Sequence, residues 1–118
     1  MRVRYTSGRL STEFEGNQTE IFAALAEFQE IFEETSCGKC GSDNIGFVVR
    51  EVKGNKFHEL HCRNPECHAK LAFGKHRQTE TLFPRRKAGN NDPTGLPEGE
   101  WLPDRGWIKW DASQKKAV

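Results

Sequence analysis

The sequence has little with which to build a hydrophobic interior. Hydrophobic side chains make up 35% of its 118 residues, against about 45–50% (glycine included) in ordinary globular chains. Mean hydropathy is −0.80 and the mass is 13.5 kDa. No run of ~18 apolar residues occurs, so the sequence offers no membrane-spanning helix. Met1-Arg2-Val3-Arg4-Tyr5 leads into polar residues rather than an apolar leader, and no lipidation signal stands out. There is no glycine-rich phosphate loop and no Ser-His-Asp arrangement. A small chain with a thin core needs a metal, disulfides or a partner to fold, which disfavours a substrate-enclosing enzyme of ordinary size. The expected location is cytoplasmic. There, in a reducing medium, four cysteines read as metal ligands rather than as two disulfides.

What the chain does have is charge, unevenly placed. Residues 1–35 carry three basic and seven acidic side chains, a net of −4. Residues 36–90 carry eleven basic and five acidic, a net of +6, and residues 91–118 have a net of −1. A basic middle between acidic flanks suits a polyanion partner.

Weak alternation over 1–16 (Val3, Tyr5, Leu10, Thr12, Phe14) predicts one or two short strands. The clearest element is a helix over about 18–35. Asn17 is placed to cap it, with Glu20 completing a capping box. Ile21, Leu25, Phe28 and Phe32 follow helical spacing, with Phe22, Ala24 and Ile31 widening the stripe. Glu27, Glu30, Glu33 and Glu34 make its polar side acidic, so this side should face away from any nucleic acid. Strand-like runs follow at Ile45–Val52 and Lys56–Cys62 around a Gly54-Asn55 turn, then at Lys70–Lys75. Residues 88–100 read as a flexible loop. Trp101–Asp111 reads as a docked hairpin, with Ile108 and Trp110 facing inward and Trp107 outward, and residues 112–118 read as disordered.

The chemistry concentrates in Cys37-x2-Cys40, twenty-one residues, then Cys62-x4-Cys67. Two tight turns each offering two thiolates, brought together by a hairpin, match the tetrahedral thiolate site of a zinc ribbon. Four protein ligands leave no open position for water, so the expected cofactor is one structural Zn²⁺. Replacement of a cysteine by His61 or His68, or an iron site in place of zinc, are the weaker alternatives. Catalytic readings fail on spacing. His58-Glu59-Leu60-His61 places its second histidine one residue too early for a metalloprotease helix, and Pro65-Glu66-Cys67 lacks the Pro-Cys-x-x-Cys order of deaminases. Asn64 beside His61 is a weak hint of a metal-dependent nuclease.

Around the cysteines, cations and rings are interleaved. Arg50, Lys53, Lys56, Lys70, Lys75 and Arg77 lie on the expected sheet and its edges, together with Phe57 and Phe73. Arg85-Arg86-Lys87 follows directly, and Trp107 is the outward ring of the tail. Cations that neutralise phosphates and rings that stack on bases are how single strands are held. Duplex readers insert a helix or ribbon into a groove, and the clearest helix here is acidic.

These segments together resemble a family of small zinc-ribbon proteins of tailed bacteriophages. The acidic helix runs into Cys37-Gly38-Lys39-Cys40-Gly41. Val49-Arg50-Glu51-Val52, Leu71-Ala72-Phe73-Gly74-Lys75-His76, Leu82-Phe83-Pro84-Arg85-Arg86-Lys87 and Gly106-Trp107-Ile108-Lys109-Trp110 follow. The likeness spans roughly residues 10–111 and implies single-stranded DNA binding in phage DNA replication or recombination, in the host cytoplasm. The four-residue spacing of the second cysteine pair departs from the commoner two.

The expectation is thus an α+β protein: a zinc ribbon with a small antiparallel sheet packed against one α-helix, over residues 1–88 (ribbon 36–75). A loop and Trp-rich segment would occupy 89–118. The expected function is non-enzymatic, largely sequence-independent binding of single-stranded DNA, with RNA as a second ligand, homodimerisation as an option and no membrane partner. The alternative is a zinc-ribbon protein–protein adaptor acting on host transcription or replication machinery.

Overall fold

The computed structural model describes all of residues 1–118. The protein is α+β, with one α-helix and three antiparallel sheets. The chain divides into two compact units, residues 1–35 and 36–118.

In the first unit β1 (Arg2–Ser7) and β2 (Leu10–Glu15) form a hairpin, and α1 (Gln18–Phe32) packs on it. Asn17 caps α1 as its sequence predicts. Its side chain accepts from the Glu20 amide at 2.8 Å, and Glu20 Oε1 accepts from the Asn17 amide at 3.0 Å. Phe28 meets Tyr5 and Phe14 edge-on at centroid distances of 5.7 and 5.8 Å, with Phe32 beside it at 4.7 Å. The apolar line is therefore 21, 25, 28, 32. Phe22, expected to widen it, lies off that line and is exposed. At 15 residues α1 is too short to cross a membrane.

The second unit is built on a four-stranded antiparallel sheet in the order β3 (Ile45–Val52), β4 (Asn55–Cys62), β5 (Lys70–Lys75), β6 (Leu82–Pro84). The β3–β4 turn is Lys53-Gly54 rather than Gly54-Asn55: both residues have positive φ (52° and 83°), and Val52 pairs with Asn55. This is the two-residue geometry whose twist matches that of the flanking strands. The edge of β5 beyond β4 is shared. Residues 73–75 pair with β6, while Lys70 exchanges both backbone hydrogen bonds with Ile108 at 2.9 Å.

Register sorts the side chains onto two faces. Leu60 and Leu71 pair directly and are fully buried on the core face. Cys62, Ile45 and Phe73 share it. Arg50, Phe57, Glu59, His61, Lys70 and Ala72 share the outer face. The core cluster is small: the cysteines Cys37, Cys62 and Cys67, with Leu60, Ala69, Leu71 and Trp107.

Residues 89–118 are ordered parts of this unit. Asp92 accepts from the amides of Gly89 and Thr94 and from the Thr94 hydroxyl, which builds the 88–100 loop. Burial pushes the Asp92 carboxyl up, but those donors hold it below the usual carboxylate range. The chain end is also a strand. β7 (Trp110–Asp111) pairs with β8 (Lys116–Ala117), Ala117 is buried, and the Val118 amide donates to the Lys109 carbonyl at 2.8 Å. The disorder expected for 112–118 is corrected accordingly: Asp111 accepts from Ser113 and Gln114 and closes the turn. The tryptophans are the reverse of the expected arrangement. Pairing with Lys70 puts Ile108 on the outer face, so Trp110 follows it there (62% exposed) and Trp107 enters the core (0% exposed).

Candidate metal centre and cationic face

Two turns supply the four sulfurs. Cys37 and Cys40 lie on a loop closed by the Cys37 amide donating to the Ser42 carbonyl (2.8 Å) and the Gly41 amide donating to the Cys37 carbonyl (2.9 Å). Cys62 ends β4, and Cys67 follows on the Asn64–Cys67 turn, whose Cys67 amide donates to the Asn64 carbonyl. The β3–β4 hairpin joins these turns, and all four Sγ atoms lie within 4.8 Å of one another. The Cys37–Cys67 separation is 3.8 Å and the Cys40–Cys62 separation 3.6 Å. A disulfide needs about 2.0 Å. A tetrahedron of thiolates at ~2.3 Å from a central ion has edges of roughly 3.8 Å. The site is therefore shaped for one tetrahedral ion and not for two crosslinks.

The backbone is arranged for charged sulfur. Each cysteine sulfur receives an amide from two residues on: Lys39 to Cys37 at 3.3 Å, Ser42 to Cys40, Asn64 to Cys62 and Ala69 to Cys67. The Asn64 side-chain amide adds a longer contact to Cys40 at 3.7 Å. The Ser42 amide leads in lowering the Cys40 thiol to about 6. Burial dominates at Cys62, pushing it up to about 12, and raises Cys67 too. Four crowded sulfurs cannot all ionise together. A divalent ion at their centre removes that conflict and takes all four as thiolates. Neither His61 nor His68 belongs to the cluster. His61 is engaged elsewhere, at 2.7 Å from Glu59.

The first knuckle is braced by the C-terminal segment. Gly38 lies under Trp107, where a Cβ would come within 2.6 Å of the indole Cδ1. Lys39 forms an ion pair with Asp104.

The cations and rings predicted from the sequence fall into several groups. Arg50, Phe57, Lys70 and Arg85 line one groove of about 560 Å³ on the outer sheet face. Arg85, Arg86, Lys87 and Trp101 line a second, of about 420 Å³. There the Lys87 ammonium stands 4.7 Å above the Trp101 ring, and the Arg86 guanidinium donates to the Arg105 carbonyl. Lys53 and Lys56 are exposed at the β3–β4 tip, Lys75 at the end of β5 and Arg77 in the turn after it. Two members of the predicted set do not join these surfaces. Phe73 is half-buried against the core on the inner face, away from both grooves, and Trp107 is wholly enclosed, so Trp107 cannot stack on a base in the folded state. Trp101 and Trp110 are the exposed indoles instead, at 69% and 62%.

Glu59 organises the first groove. It is 6% exposed. Arg50 grips it with two hydrogen bonds, Nε to Oε1 at 2.8 Å and Nη2 to Oε2 at 2.9 Å. The same guanidinium lies 5.4 Å from the Phe57 centroid. Burial pushes the Glu59 carboxyl up, yet Arg50, His61 and the Lys70 charge outweigh it and hold it at about 2. Sequence reading gave Glu59 no role. Its signal was its position between Phe57 and His61 on a face shared with Arg50.

Comparison of the chain with protein-family models, with curated proteins and with solved structures finds no match in any of the three.

Proposed function

We propose that this protein is a non-enzymatic, zinc-stabilised binder of single-stranded DNA. The observation that carries the reading is the pair of grooves that share Arg85, each combining cations with an exposed indole. Cations supply a sequence-independent attraction for phosphates, and ring faces accept any base. Zinc is favoured for the metal because four thiolates in a closed tetrahedron suit it and leave no site for reactive water. The ion then serves stability: a core whose largest fully buried side chains are Trp107, Leu60 and Leu71 is small for an 83-residue unit. The motif likeness to phage zinc-ribbon proteins supports a place in phage DNA replication or recombination. RNA shares the same chemistry and is the natural competitor ligand.

Fluorescence anisotropy of labelled oligo-dT with the full chain tests the reading. The expected result is binding that weakens steeply with salt, with no cleavage of the oligonucleotide in Mg²⁺ or Mn²⁺. Absence of salt-sensitive binding overturns it. In that case the adaptor reading gains, since the acidic first unit exposes Phe22 (77%) on its helix. Elemental analysis expecting one zinc per chain tests the metal.

A further inference from the structure

The outer-face groove has a direction. The ladder Glu59↔Ala72, continued by two residues, sets Phe57 level with Gly74. Trp110 lies past the Lys70↔Ile108 bridge, at the other end of β5. Continuing that bridge by two residues sets Trp110 level with His68, six residues from the level of Gly74, so the two rings stand roughly 20 Å apart along the strand. Between them the floor is charged. Arg50, Lys70 and Arg85 line the trough, and its one lining carboxylate, Glu59, is already gripped by Arg50 and His61. Asp92 lies near enough to Arg85 to feel its charge, yet it is occupied by Thr94 and Gly89. Bidentate pairing with Glu59 also fixes the Arg50 guanidinium beside Phe57, so this end of the trough is pre-organised.

We propose that this trough is a track for a single strand running along β4 and β5. One base stacks at Phe57, another at Trp110, and the phosphates between them lie on Lys70 and Arg85. The inference rests on the single-strand reading above and names the site and path it uses. A groove of about 560 Å³ is within the size range of ligand sites. A span of this length holds about four nucleotides, the low end for single-strand binding folds. One nucleotide is too short to reach both rings, so affinity should depend on length.

The test is a titration of the full chain with dTMP, (dT)2, (dT)4 and (dT)8, repeated for Phe57→Ala, Trp110→Ala and Trp110→Phe. Wild type is expected to tighten sharply between (dT)2 and (dT)4. Each alanine variant is expected to lose about 5- to 150-fold on (dT)8, in line with the loss of one stacked base. Its salt slope should be unchanged, because no charge is removed, and Trp110→Phe should recover most of the loss. Unchanged thermal midpoints certify that the variants are folded. Both rings are exposed at the surface, so a folding failure is not expected; should one occur, crosslinking of a 5-bromo-dU strand to wild-type Phe57 or Trp110 decides. Wild-type oligonucleotide affinity in both alanine variants overturns the track while leaving single-strand binding in place. Tight dTMP binding lost in Trp110→Ala reassigns the groove to free nucleotides and also overturns it. No oligonucleotide binding by wild type defeats the functional reading itself, and the track with it.

Discussion

Glu59 shows how one side chain can set a surface. Its carboxylate is buried, yet it is ionised because Arg50, His61 and Lys70 surround it. Its folded value of about 2 lies below the ordinary 4.5, so the stabilisation is complete above about pH 4.5 and is lost as pH falls toward 2. Glu59→Gln is expected to lower stability by about 2 kcal/mol at pH 7, a figure discounted because Arg50 is partly solvated. The gap to wild type should narrow at pH 4. Denaturant unfolding followed by tryptophan emission at the two pH values measures it. Acid also expels metal from thiolates, so the readout is the difference between the two proteins. At the metal centre, Cys62→Ser is expected to abolish stoichiometric metal content and red-shift tryptophan emission, because Trp107 packs on the Cys37–Cys40 loop. A strong chelator should produce the same shift in wild type, and added Zn²⁺ should reverse it.

Among the elements, the C-terminal hairpin depended most on contacts distant in sequence. β7 and β8 are two residues each; β7 falls within the hairpin expected at Trp101–Asp111, whereas nothing in the composition of β8 announces a strand. They form because Ile108 pairs with Lys70, Val118 closes on Lys109, and the Ala117 amide donates to the Pro93 carbonyl at 3.1 Å. Truncation after Ala112 is expected to lower the thermal midpoint by about 4–8 °C for each kcal/mol of pairing lost. It should also weaken oligonucleotide binding, because β8 holds the strand that carries Trp110. Gly106 is a second lever in this segment. It is buried with φ at 90°, and a Cβ would sit 3.1 Å from Leu71 and run into the Arg85 carbonyl. Gly106→Ala should therefore destabilise by more than the ~1 kcal/mol typical of a conformational penalty alone, measurable by thermal unfolding. By contrast, α1 and the β3–β4 hairpin were legible in advance. Their signals are local: a capping box at Asn17 and Glu20, and alternating runs around a glycine turn.

At the scale of the whole molecule the charge asymmetry finds a structural counterpart. The acidic residues 1–35 form one compact unit, and the basic residues 36–90 fall within the other. If the second unit neutralises phosphates, each cation in contact should contribute about 0.7 to the salt slope of single-strand binding. Arg85→Ala/Arg86→Ala is therefore expected to lower that slope by about 1.4 as well as the affinity. Glu27→Gln/Glu30→Gln on the acidic helix is the matching control and should leave the slope unchanged. Anisotropy titrations at a series of salt concentrations measure both.

Cysteine spacing, the capped helix and the paired strands are encoded over short stretches of chain, so the four-cysteine cluster, the α+β composition and the β3–β4 hairpin follow from local sequence alone. Which face each ring occupies depends instead on pairing between distant segments. One backbone bridge, Lys70 to Ile108, sets the parity of the tail, sending Trp107 inward and Trp110 outward. A strand's side chains alternate with a period of two, so the choice of face is symmetric in the sequence until a distant partner fixes it.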